Sequence, residues 1–313
     1  EPPCYNPSGC HSEEFLRFAQ DDIAGEGYRV QEAELRFTKM HGAGNDYLFI
    51  DGHGRDRDWP ALSVAMSDRH FGVGSDGIIL AMPSEEADLR MVMFNADGSE
   101  GKMCGNGIRC LVAFAMDRGI LPKGGSRVEV DTLSGRRWVE PLWEDGRVTR
   151  AIVGMGEPIL TAVDVPVIVP GHETVMDYPL QVDGHSFDIS CVSMGNPHAV
   201  AFINTPVADM KLDEIGPMVG HHPMFPEGAN FEIVNVVDGG RIRARVWERG
   251  SGLTMACGTG ACAVAVISRL QSRTGDKVNV SLPGGDLMIT WPGSGEVIME
   301  GPVVEVFEGD WPD

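Results

Sequence analysis

No uninterrupted apolar run in the sequence approaches the ~18 residues of a membrane span. The longest candidates, residues 110–116 and 261–267, are the size of core helices. Basic residues are scarce: 25 Lys and Arg stand against 46 Asp and Glu, for a formal net charge of −21. Phosphate backbones and anionic lipid are bound by clustered Lys and Arg, so this balance argues against nucleic acid or a membrane surface as partner. Seven cysteines in 313 residues are too sparse, and odd in number, for a secreted disulfide framework, which points to a reducing compartment.

What is present describes a soluble globular chain, 42% hydrophobic and 23% charged, long enough for two domains with a core each. Residues 1–35 stand apart as an extension: they carry eight acidic residues against Arg17 and Arg29 and open on Pro2-Pro3, Pro7, Ser8 and Gly9. Such a stretch is a flexible arm or a short helix, and it is too acidic for an intact transit peptide. Cys4, Cys10 and His11 lack a second ligand pair and carry little weight as a metal cluster. From Leu35 onward, short β-type runs broken by Gly and Pro dominate, among them residues 47–51, 90–94, 127–132, 188–192, 233–237, 241–247 and 277–282. Helical patterns are few and cover 62–68, 107–118, 212–220 and 260–272.

The second and fourth of these helices each follow a Cys-Gly-X-Gly turn, at Cys104-Gly105-Asn106-Gly107 and Cys257-Gly258-Thr259-Gly260. The approach to each turn repeats without a gap, fourteen residues from Arg90 to Cys104 and fourteen from Arg243 to Cys257, at an offset of 153. A second matched pair of turns, residues 40–45 and 193–198, extends the duplication. Two halves of like topology are implied. A boundary is expected near residues 146–150, where Glu144-Asp145-Gly146 reads as a turn, giving halves 36–150 and 151–301.

A cysteine just before a helix gains from unpaired N–H groups and the helix dipole, which stabilise a thiolate and can also hold a carboxylate. Two such ends facing one cleft place two thiols around one carboxylate. That arrangement removes a proton from one face of an α-carbon and delivers another to the opposite face. A single cysteine at a glycine turn is more often a small buried residue, and it is the matching that tips the balance. Cys110, Cys191 and Cys262 read as core, and the spacings from Cys104 to Cys110 and from Cys257 to Cys262 suit no zinc knuckle. Gly72-Val-Gly74-Ser-Asp-Gly77 satisfies a dinucleotide-type glycine pattern, but no helix pattern follows it. Asn45, Asn95, Asn196 and Asn230 end apolar runs, where an amide can bind amino or carboxylate groups, although any one asparagine is more often a turn former. Glu248-Arg249 replaces Asn95-Ala96 in the repeat, so the halves are not equivalent, and an adjacent acid and base can read an ammonium and a carboxylate together. His198 is a candidate for helping to ionise a thiol.

These residues resemble diaminopimelate epimerase. The likeness rests on residues 39–47, on Phe71-Gly-Val-Gly-Ser-Asp76-Gly77, on residues 95–107 through Met103-Cys104-Gly-Asn106-Gly107, on Gly195-Asn196-Pro197-His198, and on Trp247-Glu248-Arg249 through Ala256-Cys257-Gly258-Thr259-Gly260. The resemblance covers roughly residues 36–310 in order. It implies an α+β fold of two pseudo-symmetric domains, each a curled, mostly antiparallel β-sheet or barrel around a central helix, with the active site in the cleft between them. The final segment, 302–313, is expected to return to the first domain.

The same resemblance implies a cofactor-independent isomerase of lysine biosynthesis, with no metal and no pyridoxal phosphate, that interconverts L,L- and meso-diaminopimelate. Cys104 and Cys257 would be the acid–base pair, with His198 near the first and Glu248 near the second. Gly105, Asn106, Gly258 and Thr259 would hold the reacting carboxylate, and Asn45 would sit by the reacting amino group. Asn95, Asn196, Asn230, Glu248 and Arg249 would read the distal centre. A homodimer is expected, in bacterial cytoplasm or, in a plant or alga, the plastid stroma. Proline-type racemases, the nearest competitor, usually carry His where this chain has Asn106. Two departures from the pattern are the acidic arm and Ile233, where the family often has an aromatic residue.

Overall fold

A computed structural model describes residues 34–312 of the chain. The acidic arm up to residue 33, with Cys4, Cys10 and His11, lies outside the described residues.

Two copies of one topology succeed each other along the chain. The first runs through β1 (Leu35–Gly42), β2 (Asn45–Asp51), α1 (Trp59–Ser67), β3 (Gly77–Met82), β4 (Leu89–Asn95), the two-residue β5 (Glu100–Gly101), α2 (Gly105–Asp117), β6 (Val128–Asp131), β7 (Arg137–Glu144) and β8 (Arg147–Gly154). After β9 (Tyr178–Val182), the second repeats it as β10 (His185–Ser193), β11 (Pro197–Phe202), α3 (Leu212–Gly220), β12 (Asn230–Asp238), β13 (Arg241–Glu248), the two-residue β14 (Gly252–Leu253), α4 (Gly258–Leu270), β15 (Lys277–Leu282), β16 (Gly285–Thr290) and β17 (Ile298–Pro302). β18 (Val304–Trp311) closes the chain.

Strand pairings match between the copies. β2 and β3 pair in parallel across the crossover α1, as β11 and β12 do across α3. β4 and β6 pair in parallel across α2, as β13 and β15 do across α4. The other neighbours are antiparallel, which gives the mixed, mostly antiparallel sheets of an α+β fold. The outermost strand of the first sheet is supplied from beyond the second half, since β18 pairs with β1; β9 fills the same place beside β10. The two sheets join along one seam, β8 against β17. Glu144-Asp145-Gly146 is a turn, with positive φ at Asp145 (49°) and Gly146 (77°), the pairing that a tight hairpin between twisted strands requires.

Each curled sheet wraps its own long helix. α2 packs against β1, β2, β3, β7 and β8, and α4 against β10 to β13, β15 and β16. From Ile108 to Met116 every residue of α2 is buried, as is every residue of α4 from Gly260 to Ser268, because a helix enclosed by a sheet has no solvent face. Ala113, Ala115, Ala261, Ala263 and Ala265 keep the helices narrow enough to be enclosed. α1 and α3 cover the outer sheet faces, over separate clusters around Met66, Ile78 and Leu80 and around Ile215, Val219 and Phe231. No helix among the described residues is long and apolar enough to cross a membrane.

Candidate active site

The two long helices begin at the same place in space. A Cβ on Gly258 would lie 3.6 Å from Gly105 Cα and 3.4 Å from the Met299 sulfur, and one on Gly105 would lie 2.8 Å from Met299 Cε. The first turns of the two helices are thus in contact, with Met299 packed against both. Both helices are N-capped by cysteine in extended backbone, with φ −127° and ψ 116° at Cys104 and φ −111° and ψ 116° at Cys257. In each, Sγ accepts from the N–H three residues on, Gly107 and Gly260, at 3.3 Å in both cases. Sulfur thus occupies the place an N-cap oxygen ordinarily takes, and the remaining first-turn amides are left for a ligand.

The surroundings of the two thiols differ. Cys104 is half-buried and its Sγ donates to Asn45 Oδ1 at 3.1 Å. Asn45 is turned by Asp76, whose Oδ2 accepts from Asn45 Nδ2 at 2.6 Å. Burial raises the Cys104 thiol above its ordinary value and Glu248 adds to this, against the amides of Gly107 and Asn106, which favour the thiolate. Tyr47, buried beside it, is held well above the usual phenol range by burial and by the charges of Cys104 and Asp76. Cys257 is 5% exposed, with Thr259 Oγ1 at 3.4 Å. Burial, then the carboxylates of Glu248 and Glu232, push its thiol well above the ordinary value.

Glu248 interacts electrostatically with both sulfurs and hydrogen-bonds to Cys257. Burial raises its carboxyl, partly offset by the Thr254 hydroxyl, which donates to Oε1 at 2.5 Å. His198 is fully buried: Nδ1 lies 2.7 Å from Glu232 Oε1 and Nε2 3.0 Å from Asn196 Oδ1. Its hydrogen bonds therefore go to Glu232 and Asn196, not to Cys104, and it acts on the site through Glu248, whose charge it favours. Asn230 gives Nδ2 to Pro197 O at 3.0 Å and accepts the Arg249 backbone N–H at 2.8 Å. Its amide thus fixes where Arg249 stands, and the exposed Arg249 side chain donates to Glu227 O at 2.9 Å. Asn95 bonds Ser99 at 3.0 Å, and it is the next residue, Ala96, whose N–H donates to Asp76 O at 3.1 Å. Asn106 spans the halves, donating from Nδ2 to Ala256 O at 3.2 Å and to Asn45 Oδ1 at 3.5 Å.

Four residues here escaped the reading of the sequence as site residues: Asp76, Tyr47, Glu232 and Arg109. Glu232 carried a signal, an acid flanked by Phe231, Ile233 and Val234. Asp76 lies in the glycine pattern that mimicked a dinucleotide loop, and Gly77 there opens the strand β3 rather than a helix. Cys110 and Cys262 are fully buried in α2 and α4.

The duplicated α+β fold is shared with solved structures of amino acid racemases and epimerases. The fold is similar to that of a probable proline racemase from Agrobacterium radiobacter K84, with a TM-score of 0.65 and 16% identity over 88% of this chain and 92% of that one. A hydroxyproline epimerase from Agrobacterium vitis gives a TM-score of 0.67 and 13% identity over 90% and 93%.

The sequence is more specific. The family model for diaminopimelate epimerase matches residues 37–161 and 190–306. The diaminopimelate epimerase of Acetivibrio thermocellus is 48% identical over 278 residues, 88% of this chain and 98% of that protein. That of Desulfovibrio desulfuricans is 47% identical over 284 residues, 88% and 98% respectively, and that of Methanococcus maripaludis strain C5 is 45% identical over 278 residues, 88% and 99%. The chain belongs to the diaminopimelate epimerase family and is an isomerase.

Proposed function

We propose that the chain interconverts L,L- and meso-diaminopimelate, a step of lysine biosynthesis, by two-base proton transfer at one α-carbon. The observation that carries this reading is the pair of cysteine N-caps on two helices whose first turns abut. In the forward direction one thiolate takes the α-proton, and the opposite thiol protonates the resulting planar carbanion from the other face. The sulfurs exchange states, and the reverse reaction exchanges them back. Negative charge that moves from the α-carbon onto the carboxylate is held by the amides of Gly105, Asn106, Gly258 and Thr259, donors already aimed before the reaction begins.

Within this reading Cys104 and Cys257 are catalytic, and Glu248 and His198 set their proton affinities, Glu248 directly and His198 through Glu248. Asn45, whose Oδ1 already accepts from Cys104, receives the reacting ammonium. The distal centre is read by Asn95, Asn196, Asn230, Glu248 and Arg249, the adjacent Glu–Arg pair supplying opposite charges for an ammonium and a carboxylate. We divide the chain into domains at 36–150 with 302–313, and 151–301.

A homodimer fits the last strand. β18 pairs only with β1 among the described residues, and Val304, Val306 and Phe307 stand 39%, 51% and 44% exposed along it. A reducing cytoplasm, or a plastid stroma in a plant or alga, keeps both thiols competent.

Deuterium incorporation at the substrate α-carbon from D2O tests the mechanism. Cys104→Ala and Cys257→Ala are each expected to lose epimerisation by roughly 10²- to 10⁴-fold. Turnover of proline or hydroxyproline in place of diaminopimelate would overturn the substrate, and full epimerisation by either variant would overturn the two-base assignment.

A further inference from the structure

Arg109 is fully buried one turn into α2, where an uncharged side chain would suffice to fill the helix core. Its guanidinium donates to Gly105 O at 3.0 Å, to Asn106 Oδ1 at 2.9 Å and to Pro302 O at 3.4 Å, with the Met299 sulfur at 3.8 Å. None of these partners is a carboxylate. Taking an ion out of water costs several kcal/mol even after relaxation, and a buried charge is ordinarily paired. The surroundings are nevertheless built around it. A Cβ on Gly42 would sit 2.9 Å from Nη2, its nearest neighbour, and one on Gly301 would meet both Leu287 Cδ2 at 2.6 Å and the guanidinium Cζ at 2.7 Å, so a side chain at either position would crowd the guanidinium.

We propose that Arg109 is the positioning residue of the α2 half of the cleft: it polarises the Gly105–Asn106 peptide, locks the Asn106 side chain, and supplies the buried positive charge against which the substrate's reacting carboxylate and carbanion are held. The inference rests on a carboxylate occupying the cleft, as the proposed function requires. Gly105 O and the Asn106 N–H belong to one peptide unit, so a cation on the oxygen strengthens the N–H as a donor. The second arm of the fork fixes the face of the Asn106 amide, leaving Nδ2 to reach Ala256 O and Asn45 Oδ1, the atom that accepts from Cys104. One guanidinium is thereby linked to the backbone just before Cys257 and to the hydrogen-bond acceptor of Cys104. The matching position in the second half is Cys262, which carries no charge to place there.

The charged and titratable groups around Arg109 are Cys104, Cys110, Cys262 and Arg150. Those around Cys104 are Glu248 on β13 and Tyr47 on β2, with the amides of Asn106 and Gly107 from α2 itself. The Arg109 charge and a Cys104 thiolate favour each other, so removing the first disfavours the second.

The full chain, Arg109→Lys and Arg109→Gln are compared by the pH midpoint of iodoacetamide alkylation at Cys104, and by kcat and KM for deuterium exchange into diaminopimelate. Arg109→Gln keeps a polar side chain without charge; it is expected to move the midpoint to higher pH and to lower kcat by about tenfold to a hundredfold, with KM changed less. Arg109→Lys is expected to bring the midpoint back while recovering only part of kcat, because a point charge cannot serve both acceptors as a planar fork does. Equal losses of kcat in the two variants with an unmoved midpoint would assign Arg109 to the fold alone and overturn the proposal. The alkylation arm needs no turnover. A shifted midpoint in a chain that exchanges no diaminopimelate would sink the substrate reading and leave the role of Arg109 in place.

Discussion

The two halves of the molecule share strand order, crossovers and cysteine caps, yet the residues at matched positions around the caps differ in charge. At the offset of 153, Ile79 in the first half answers to Glu232 in the second, Asn45 to His198, Asn95 to Glu248, and Arg109 to Cys262. Against the bare glycine of the third helical position, Gly107 or Gly260, stands Ile79 Cδ1 in one half and Glu232 Oε1 in the other. Backbone symmetry thus supplies two equivalent cysteine caps, while the side chains add Arg109 near Cys104 and Glu232 near Cys257, with Glu248 acting on both. A duplicated scaffold can therefore keep its geometry in common while the environment of each copy diverges.

Glu248 is where the comparison can be broken most severely, since it acts on both sulfurs. Its charge raises both thiols, so Glu248→Gln is expected to move both alkylation midpoints to lower pH while epimerisation falls by about a hundredfold. Midpoints that stay still or rise would show that the two thiols do not share this carboxylate. A subtler test leaves the chain unaltered. Cys257 has two carboxylates against it and Cys104 has one, so as pH is raised iodoacetamide should label Cys104 first, read by peptide mass spectrometry. Labelling of Cys257 ahead of Cys104 would reverse the assigned polarity.

Packing offers a smaller effect. A methyl on Gly107 would fall 2.4 Å from Ile79 Cδ1 and one on Gly260 2.9 Å from Glu232 Oε1, so each alanine variant should cost about 1–3 kcal/mol in urea unfolding. A neutral result at Gly107 would mean that Ile79 gives way without strain and that the apolar half is the looser of the two. The smallest effect belongs to the outer strand. Glu308 bonds Arg36 at 2.7 Å and pairs with Arg118 at 2.5 Å, and these hold its carboxyl below the usual range. A carboxyl with a lowered folded value contributes stability above its unfolded value and loses that contribution as pH falls through the folded one. Glu308→Gln should therefore lower the melting temperature slightly at neutral pH and hardly at all in strong acid. An equal loss at both would remove the ion pairs as its cause.

Much of this architecture is legible in the sequence because the duplication is written twice. α3 and β15 match the residues the pattern marks, 212–220 and 277–282. The long helices begin two residues before the pattern suggests, at Gly105 and Gly258, because their caps are sulfurs and their first turns are glycine, neither of which signals a helix start. β3, Gly-Ile-Ile-Leu-Ala-Met, is buried on both faces and so lacks the alternation that marks a strand. Within the site, the cysteines and the Glu248-Arg249 asymmetry can be read from the repeat. Arg109 cannot, since a charged residue in an apolar segment normally marks its solvent face, and only the enclosing sheet reveals that α2 has none from Ile108 to Met116. His198 is expected beside Cys104, yet its bond goes to Glu232, a partner 34 residues away.

The placement of β18 bears on how the chain is made. The first sheet's outer strand, β18, is made after the whole second half, and β8 finds its second neighbour only when β17 arrives. The half synthesised first therefore waits, with an open edge and an unfinished seam, until β17 and β18 have been made. A nascent chain of this topology cannot complete its folding one half at a time, and its exposed edge during that interval is a point of risk for misassembly.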